Sequence, residues 1–239
     1  MSSLILIRHG QASFFDDDYD RLSAIGEEQS RRLGAYLLKR GIRFDEVFAG
    51  PRKRQIDTAR LIGEMFDAAD QPFLAPVVID GFDEYDGEGI IRHILPEAAK
   101  EDRRIRDYLD RYEKSSDNDE RLRSFQKVFE AASTVWLDGG IQSPLVESWR
   151  AFHDRVRSGI ERLTSRADRG VRIALFTSGG PISIAVQMSL QAPERTAIEL
   201  NWRLRNCSIT EIVFSNGRLS LDSFNGIPHL NDASLITYR

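Results

Sequence analysis

Residues 1–10, MSSLILIRHG, contain the apolar run Leu4–Ile7, which leads directly into Arg8, His9 and Gly10. Four consecutive apolar residues, without polar alternation, predict a short strand that is covered on both faces. In parallel α/β sheets, ligands bind beyond the carboxyl ends of the strands. We therefore expect a functional site where this first strand ends, at His9.

Strands and helices alternate beyond this point. Ser23 is a plausible helix cap and Gly41 a plausible stop for a first helix, and a second helix is expected over Arg52–Phe66. The apolar face of the first helix is expected to comprise Ile25, Leu33, Tyr36 and Leu37. Further strands are expected over Asp45–Ala49, Pro76–Asp80 and Val171–Thr177. This alternation predicts an α/β fold of three layers, α/β/α, with a mostly parallel central sheet.

The end of the chain has a different pattern. Two closing strands, Ser208–Phe214 and Arg218–Ser223, are separated by Asn216 and Gly217. An Asn-Gly pair between apolar runs is a strong signal for a β-hairpin.

A helical insertion interrupts the alternation at about residues 86–146. It contains a charged run from Pro96 to Lys114 and a second run in which Phe125, Phe129 and Trp136 recur at helical spacing. The expected organisation is one domain over residues 1–239 that carries this insertion.

Composition narrows the functional classes. The chain has 239 residues, 41% hydrophobic and 29% charged, with a net charge of −4 and both signs mixed throughout. This charge distribution argues against an extended nucleic-acid surface. No apolar run approaches the ~20 residues of a membrane helix, so we expect no membrane association and a cytoplasmic location. The single cysteine, Cys207, excludes an intramolecular disulfide and is expected to be a small packed side chain.

The tripeptide Arg8-His9-Gly10 has the chemistry of a phosphate site. A neutral imidazole nitrogen can attack phosphorus, and an adjacent guanidinium can neutralise phosphate oxygens. Three residues alone are a weak match. A histidine at a strand end that bonds to the backbone is the alternative.

A longer match supports the phosphate site. The segment RHGQASFFDDDYDRLSAIGEEQ, residues 8–29, resembles the opening of the histidine phosphatase superfamily, which includes the cofactor-dependent phosphoglycerate mutases. The positions that fit the spacing of that family are Asp20, Leu22, Ser23, Gly26 and Gln29.

The segment GPRKRQIDTA, residues 50–59, resembles the second motif of the family, Ser-Pro-x-x-Arg-Ala-x-Gln-Thr-Ala. The resemblance implies that Arg54 is the second phosphate-binding arginine, with Arg52 as a nearby competitor. The positions that match the motif are Pro51, Thr58 and Ala59, and those that depart from it are Gly50, Gln55 and Asp57.

The segment FDEYDGEG, residues 82–89, follows the third strand. Family members carry a glutamate in a similar segment, where it protonates the leaving oxygen. The resemblance implies this role for Glu84, with Asp86 and Glu88 as alternatives and an acidic surface loop as the non-catalytic interpretation. A general acid needs a pKa raised by burial or by neighbouring negative charge.

The main departure from the family is in FTSGG, residues 176–180. The family has Ser-His-Gly-Gly here, and its histidine holds the transferred phosphoryl group, whereas this chain has Ser178 at that position. Amides at Gly179 and Gly180 remain available to hold an anion at a helix start. Three further histidines lie outside matching segments: His93, which can reach the pocket only from the insertion, His153, expected to be exposed, and His229.

A last segment, LNWRLRNCSIT, precedes the closing hairpin. Asn206 resembles an asparagine that many relatives place near the site, and Arg203 or Arg205 can add charge there. A surface or turn-forming role is at least as good an interpretation of each.

The resemblance implies phosphoryl transfer, most simply hydrolysis of a small phosphomonoester. His9 would be the acceptor and Glu84 the acid, while Arg8, Arg54, Ser178 and Gly179 would hold the phosphate. The family needs no metal or cofactor. Because a hydroxyl replaces an imidazole at Ser178, we expect slow or narrowly specific turnover. The alternatives are phosphoglycerate mutase-type transfer and a weakly active or inactive protein that binds a phosphorylated ligand.

Overall fold

The computed structural model describes residues 1–13, 20–165 and 170–238. The chain divides into two compact units, one formed by Met1–Glu84 together with Arg155–Arg239, and the other by Tyr85–Asp154. All of the predicted site residues that matched the family motifs lie in the first unit.

The first unit is built on a six-stranded sheet in the order β3-β2-β4-β1-β5-β6. The strands are β1 (Ser2–Arg8), β2 (Glu46–Ala49), β3 (Val77–Val78), β4 (Arg172–Thr177), β5 (Ile209–Ser215) and β6 (Arg218–Gly226). The pairs β1–β4, β2–β4 and β2–β3 are parallel, and the pairs β1–β5 and β5–β6 are antiparallel. The predicted α/β class is confirmed.

Strand β3 is shorter than the five residues expected from the sequence. Val77 and Val78 are 59% and 46% exposed, because they lie at the edge of the sheet. A strand that is paired on one edge and is mostly exposed gains little stability from extension beyond the two residues that pair with β2.

The helices of the first unit are α1 (Ala24–Lys39), α2 (Lys53–Asp67), α8 (Gly179–Leu190) and α9 (Arg195–Asn201). Helix α7 (Trp149–Thr164) runs from the second unit into the first. Ser23 caps α1 by accepting from the Gly26 amide, and Gly41 follows its end with a φ of +64°, as the sequence indicated. The assignment of Ile25 to the buried face was wrong, since it is 37% exposed. It stands in the first turn of the helix, just after the cap.

The core on one face of the sheet joins α1 and α2 to the strands. Leu33 and Leu37 of α1 and Ile62 and Phe66 of α2 pack with alternate residues of β1, β2 and β4, all nearly or fully buried. Alternate strand residues point to opposite faces. A second set of fully buried apolar side chains, Leu4, Leu6, Ile173 and Leu175, therefore faces the other side of the sheet. Helix α8 contacts β1, β5 and β6.

Two smaller expectations are also confirmed. The β5–β6 hairpin turns at Asn216 and Gly217, which both have positive φ, at 50° and 76°. Cys207 is buried near the Ser30 hydroxyl, and burial raises the pKa of its thiol to about 12.

The second unit is helical. It contains a short helix α3 (Gly87–Gly89), a π-helical turn (Ile90–Ile94), α4 (Leu95–Glu101), α5 (Arg103–Lys114) and α6 (Asn118–Asp138). The predicted run from Pro96 to Lys114 is divided at Asp102, whose side chain caps α5. The core of this unit is aromatic: the ring centroids of Tyr85 and Trp136 are 5.2 Å apart, and those of Trp136 and Trp149 are 5.3 Å apart.

Within the part of the chain that the structure describes, no helix combines the length and the apolar character needed to cross a membrane.

Candidate active site

His9 lies at the carboxyl end of β1, where the sequence predicted a site. Its backbone N–H donates to the Thr177 carbonyl at 3.0 Å, so it continues the pairing of β1 with β4. Its side chain is buried, and the distance from Nδ1 to the Gly10 carbonyl oxygen is 2.7 Å. Because a carbonyl oxygen can only accept, Nδ1 carries the proton and Nε2 is the unprotonated nitrogen of the ring.

The imidazole of His9 is held in its neutral form. Burial, followed by the positive charges of Arg54 and Arg8, keeps the pKa of His9 well below its usual value of 6.5. A neutral ring with an unprotonated Nε2 is the form that can act as a nucleophile.

Arg54 contacts this nitrogen directly. Its Nε donates to His9 Nε2 at 3.1 Å, and its Nη1 donates to Asp20 Oδ1 at 2.7 Å. The side chain is 8% exposed and comes from the first turn of α2. The competitor Arg52 points elsewhere: it forms an ion pair with Asp83 and is 39% exposed. The structure thus brings Arg54, and not Arg52, against His9.

Arg8, the other predicted phosphate-binding arginine, is the last residue of β1. Its Nη1 donates to the Leu204 carbonyl oxygen, and its backbone N–H donates to the Ser208 carbonyl at 3.1 Å. It lies close enough to His9 for its charge to lower the pKa of that ring. Two cations therefore surround one neutral imidazole.

Two glycines let the His9 loop pack closely on helix α1. A Cβ on Gly10 would lie 2.4 Å from the Gly26 carbonyl oxygen, and a Cβ on Gly26 would lie 2.1 Å from the Gln11 carbonyl oxygen. The Gly10 amide donates to the Thr58 hydroxyl at 3.0 Å. These contacts give a physical reason for three positions that matched the family motifs, Gly10, Gly26 and Thr58.

Glu84 lies at the start of helix α8. The Gly180 amide is 3.2 Å from each of its carboxylate oxygens. The amide that the sequence assigned to an anion is thus occupied by a carboxylate of the chain itself. Gly179 provides the first amide of the same helix, which has no acceptor within the helix.

The alternatives to Glu84 belong to the second unit. Asp86 caps helix α3 by accepting from the Gly89 amide at 2.8 Å. Glu88 is 79% exposed and pairs with Arg92. Both have structural roles of their own, and of the three candidates Glu84 is the one that lies in the unit containing His9.

Ser178 is fully buried, and its partner was not foreseen. Gln55 Nε2 donates to the Ser178 hydroxyl at 2.7 Å, and Gln55 Oε1 accepts from the Arg52 amide at 3.0 Å. The sequence marked Gln55 only as a departure from the second motif. The sequence does contain a signal for this contact, because Gln55 and Ser178 both depart from the family pattern.

Asn206 supports the backbone of His9. Its Nδ2 donates to the His9 carbonyl at 3.3 Å, and its Oδ1 accepts from the Thr237 hydroxyl at 2.9 Å. Arg205 donates to the Asn225 carbonyl and stacks over Tyr238, while Arg203 is exposed. The contacts of this segment place its asparagine against the backbone of His9.

Asp20 is the second residue that sequence reasoning undervalued. It matched the family spacing but received no role, whereas here it binds Arg54 and accepts from the Lys53 amide at 2.7 Å. It thereby fixes the first turn of α2. Residues 14–19 of the opening motif lie outside the described residues.

The remaining histidines differ from expectation in one case. His153 was expected to be exposed, yet it is 7% exposed, with its ring centroid 5.8 Å from that of Trp149. It faces the aromatic core of the second unit. His93 also belongs to the second unit, and His229 is buried in the first.

Among the described residues, no group of three or more His, Cys, Asp or Glu side chains is arranged to hold a metal ion. The donors that the site does offer are guanidinium, hydroxyl and amide N–H groups. Such donors suit an oxyanion.

Comparison with known proteins defines the class. The model of the histidine phosphatase superfamily (branch 1) matches residues 4–135 and 99–226, so this chain belongs to that superfamily. Its members are phosphatases or mutases, so membership supports phosphoryl transfer as the general class of activity. A search of curated proteins finds no significant match.

Solved structures show the same fold at low identity. A phosphoglycerate mutase from Bacillus anthracis has a TM-score of 0.62 and 19% identity, covering 95% of this chain and 94% of its own. A phosphoserine phosphatase from Entamoeba histolytica, in complex with 3-phosphoglyceric acid, has a TM-score of 0.61 and 18% identity, covering 96% and 99%. The alpha-ribazole phosphatase from Shigella flexneri has a TM-score of 0.60 and 19% identity, covering 94% and 96%.

Proposed function

We propose that this protein hydrolyses a small phosphomonoester through a phosphohistidine intermediate on His9. The observation that carries the proposal is the state of the His9 ring. Nδ1–H is fixed on the Gly10 carbonyl, Nε2 is unprotonated, and Arg54 Nε lies 3.1 Å from Nε2. A buried neutral nucleophile beside two arginines matches the requirements of attack on a phosphate ester.

In the first step, the Nε2 lone pair of His9 forms a bond to phosphorus, and the bond from phosphorus to the ester oxygen breaks. Glu84, in its protonated form, gives its proton to the departing alcohol. The ring then carries the phosphoryl group on Nε2 and retains its proton on Nδ1, where the Gly10 carbonyl accepts it.

In the second step, water attacks the phosphoryl group. Glu84, now a carboxylate, takes one proton of the water as its oxygen bonds to phosphorus. The bond from Nε2 to phosphorus breaks, inorganic phosphate leaves, and both His9 and Glu84 return to their starting forms. The two steps consume one water and need no redox partner.

Charge is the main contribution of the protein to both steps. Arg8 and Arg54 would bind the equatorial oxygens, with the Ser178 hydroxyl and the Gly179 amide as neutral donors. Asp20 holds Arg54 from the far side of its guanidinium, so the cation is already oriented before substrate arrives. When phosphate binds, the Arg54 Nε contact with His9 would be exchanged for one with a phosphate oxygen, which releases Nε2.

We propose that the substrate is a small phosphorylated compound, that the reaction uses no metal or other cofactor, and that the protein acts in the cytoplasm. The donors at the site suit one phosphoryl group, and the net charge of −4 disfavours a polyanion such as nucleic acid. Membrane association is not part of the proposal.

Two other functions remain as candidates. Phosphoglycerate mutase-type transfer would use the same histidine and is supported by the fold of the Bacillus anthracis neighbour. A protein that binds a phosphorylated ligand with little or no turnover is supported by Ser178, which places a neutral hydroxyl where the family has an imidazole.

One experiment separates these functions. The purified protein is assayed for phosphate release from a panel of small phosphomonoesters, and its thermal stability is measured with each compound. Phosphate release that depends on His9 supports hydrolysis, and transfer between two phosphoglycerates supports the mutase. Stabilisation by a phosphorylated compound without any release supports the binding protein and contradicts our proposal.

A further inference from the structure

We propose that Gln55 positions the Ser178 hydroxyl as a hydrogen-bond donor to the bound phosphoryl group. This inference rests on the proposed binding of phosphate at His9. It assigns Gln55 a positioning role, because Gln55 acts through Ser178 and does not itself touch the reacting atoms.

The orientation of the Gln55 carboxamide is fixed by its partners. The Arg52 amide can only donate, and it lies 3.0 Å from Oε1, so this end of the carboxamide must be the oxygen. The other end is then the NH₂ group, which donates to Ser178 Oγ at 2.7 Å and approaches the Phe82 carbonyl at 3.5 Å. Gln55 is fully buried, so solvent does not compete with these contacts.

The direction of this bond decides what Ser178 can do. A hydroxyl has one proton and two acceptor sites, and here Gln55 occupies an acceptor site. Within the described residues, the Ser178 hydroxyl accepts this bond and donates no hydrogen bond of its own. A buried hydroxyl proton without an acceptor is costly, so an incoming oxyanion that accepts it gains affinity.

Ser178 is placed beside His9 by the sheet. Arg8 is the register partner of Thr177, and the next residues of the two parallel strands are His9 and Ser178. The residues of α2 that reach these two positions are also consecutive, since Arg54 contacts His9 and Gln55 contacts Ser178. One helix turn thus supplies a partner to each.

Gly50 completes the arrangement. A Cβ at this position would lie 2.2 Å from Gln55 Oε1 and 2.5 Å from the Phe82 carbonyl oxygen, so Gln55 and the Phe82 backbone both exclude a larger residue. Gly50, Gln55 and Ser178 are three of the positions at which the sequence departs from the family motifs. The structure joins them in one buried group.

The test is a double-mutant cycle with Gln55→Met, Ser178→Ala and the double variant. Methionine has a similar length to glutamine but cannot donate. We expect kcat to fall about 10- to 100-fold in each single variant, because each loses the contribution of one hydrogen bond to a charged group. The change in KM should be smaller. The double variant should be no slower than Ser178→Ala. The pH profile should keep its shape, because neither residue titrates in this range.

A second variant, Gln55→Glu, keeps the size of the side chain but accepts the Ser178 proton, so it should reduce kcat more than Gln55→Met does. The matched control is Gln187→Met, a buried glutamine of α8 whose amide donates to the Ala192 carbonyl, and it should leave kcat unchanged. Losses that multiply in the double variant, or full activity in both Gln55 variants, would overturn the inference.

The same cycle is measured on the affinity for inorganic phosphate by calorimetry, which needs no turnover. A wild-type protein that binds phosphate without releasing it from any ester would contradict the proposed hydrolysis, yet the non-additive loss of affinity would still support the role of Gln55. Equal phosphate affinity in wild-type protein and Gln55→Met would overturn that role even if hydrolysis is confirmed.

Discussion

Arg54 Nε donates to His9 Nε2 at 3.1 Å, while the opposite nitrogen of the same ring is bonded to the Gly10 carbonyl. This relationship selects one tautomer and one protonation state of the ring before any substrate is bound. It also places a cation at the atom where a phosphoryl group would form a bond.

The first prediction concerns His9 as the phosphoryl acceptor. Rapid quenching during turnover should give acid-labile, base-stable phosphate attached to His9. His9→Ala should lose both the label and turnover, because no other neutral imidazole in the described first unit lies beside two arginines. His93→Ala, a change in the second unit, should retain the label. Full activity of His9→Ala would contradict the mechanism.

The second prediction compares two arginines of the same helix start. Arg54→Ala should reduce kcat on the order of 10²-fold or more, because the lost cation contacts the reacting nitrogen. Arg52→Ala should cost far less, since Arg52 is paired with Asp83. Steady-state kinetics of the two variants provide the measurement. The reverse order would show that Arg52 binds the phosphate.

The third prediction concerns the acid. Glu84→Gln should slow the hydrolysis of alkyl phosphates much more than that of aryl phosphates, because an alkoxide leaving group needs a proton and a phenolate does not. Glu88→Gln, at an exposed position, should affect neither class. Equal losses for both classes of ester in Glu84→Gln would indicate a binding or structural role.

The fourth prediction revises what the sequence suggests for Ser178. The family comparison alone predicts faster turnover in Ser178→His. The structure predicts a loss of stability of about 1–3 kcal/mol instead, because the larger ring would overlap Gln55 at a fully buried position. Ser178→His combined with Gln55→Ala should regain stability and show the faster turnover. Denaturant unfolding and phosphate release test both parts.

A control for this prediction uses Gly50. Gly50→Ser should destabilise the protein in both backgrounds, because its Cβ would lie 2.5 Å from the Phe82 carbonyl oxygen, but less in Gln55→Ala, where the 2.2 Å contact with Gln55 Oε1 is removed. Equal destabilisation in the two backgrounds would show that these positions are independent.

The fifth prediction concerns acid stability. His229 is 7% exposed, and burial lowers the pKa of its ring to about 4. Above pH 6.5 the ring is neutral in both the folded and the unfolded protein, so its protonation does not lower the free energy of unfolding. Between pH 6.5 and 4 only the unfolded state binds the proton, and stability falls by up to about 3 kcal/mol.

The measurement is urea unfolding of the wild-type protein and His229→Leu at pH 7.5 and at pH 4.5. The variant should lose less stability between the two values, because it has no ring to protonate. The same pH dependence in both proteins would show that His229 does not contribute.

The sequence was sufficient for the elements that depend on local pattern. The apolar run of β1, the Ser23 cap, the Gly41 stop and the Asn216-Gly217 turn all follow from short-range rules, and each is present. Where burial was inferred from periodicity alone, errors occurred: Ile25 is exposed and His153 is buried. Periodicity identifies a helix, but neighbouring elements decide which side of it is covered.

The chemistry at the first strand end was also readable from the sequence, because it follows from residue type: a histidine between an arginine and a glycine, after a buried strand. Which of Arg52 and Arg54 meets His9 depends on the position of α2 against β1, which is a tertiary relationship. The occupation of the Gly180 amide by Glu84 and the contact of Gln55 with Ser178 join residues 96 and 123 positions apart. Distances of this kind are set only when the sheet brings the ends of its strands together.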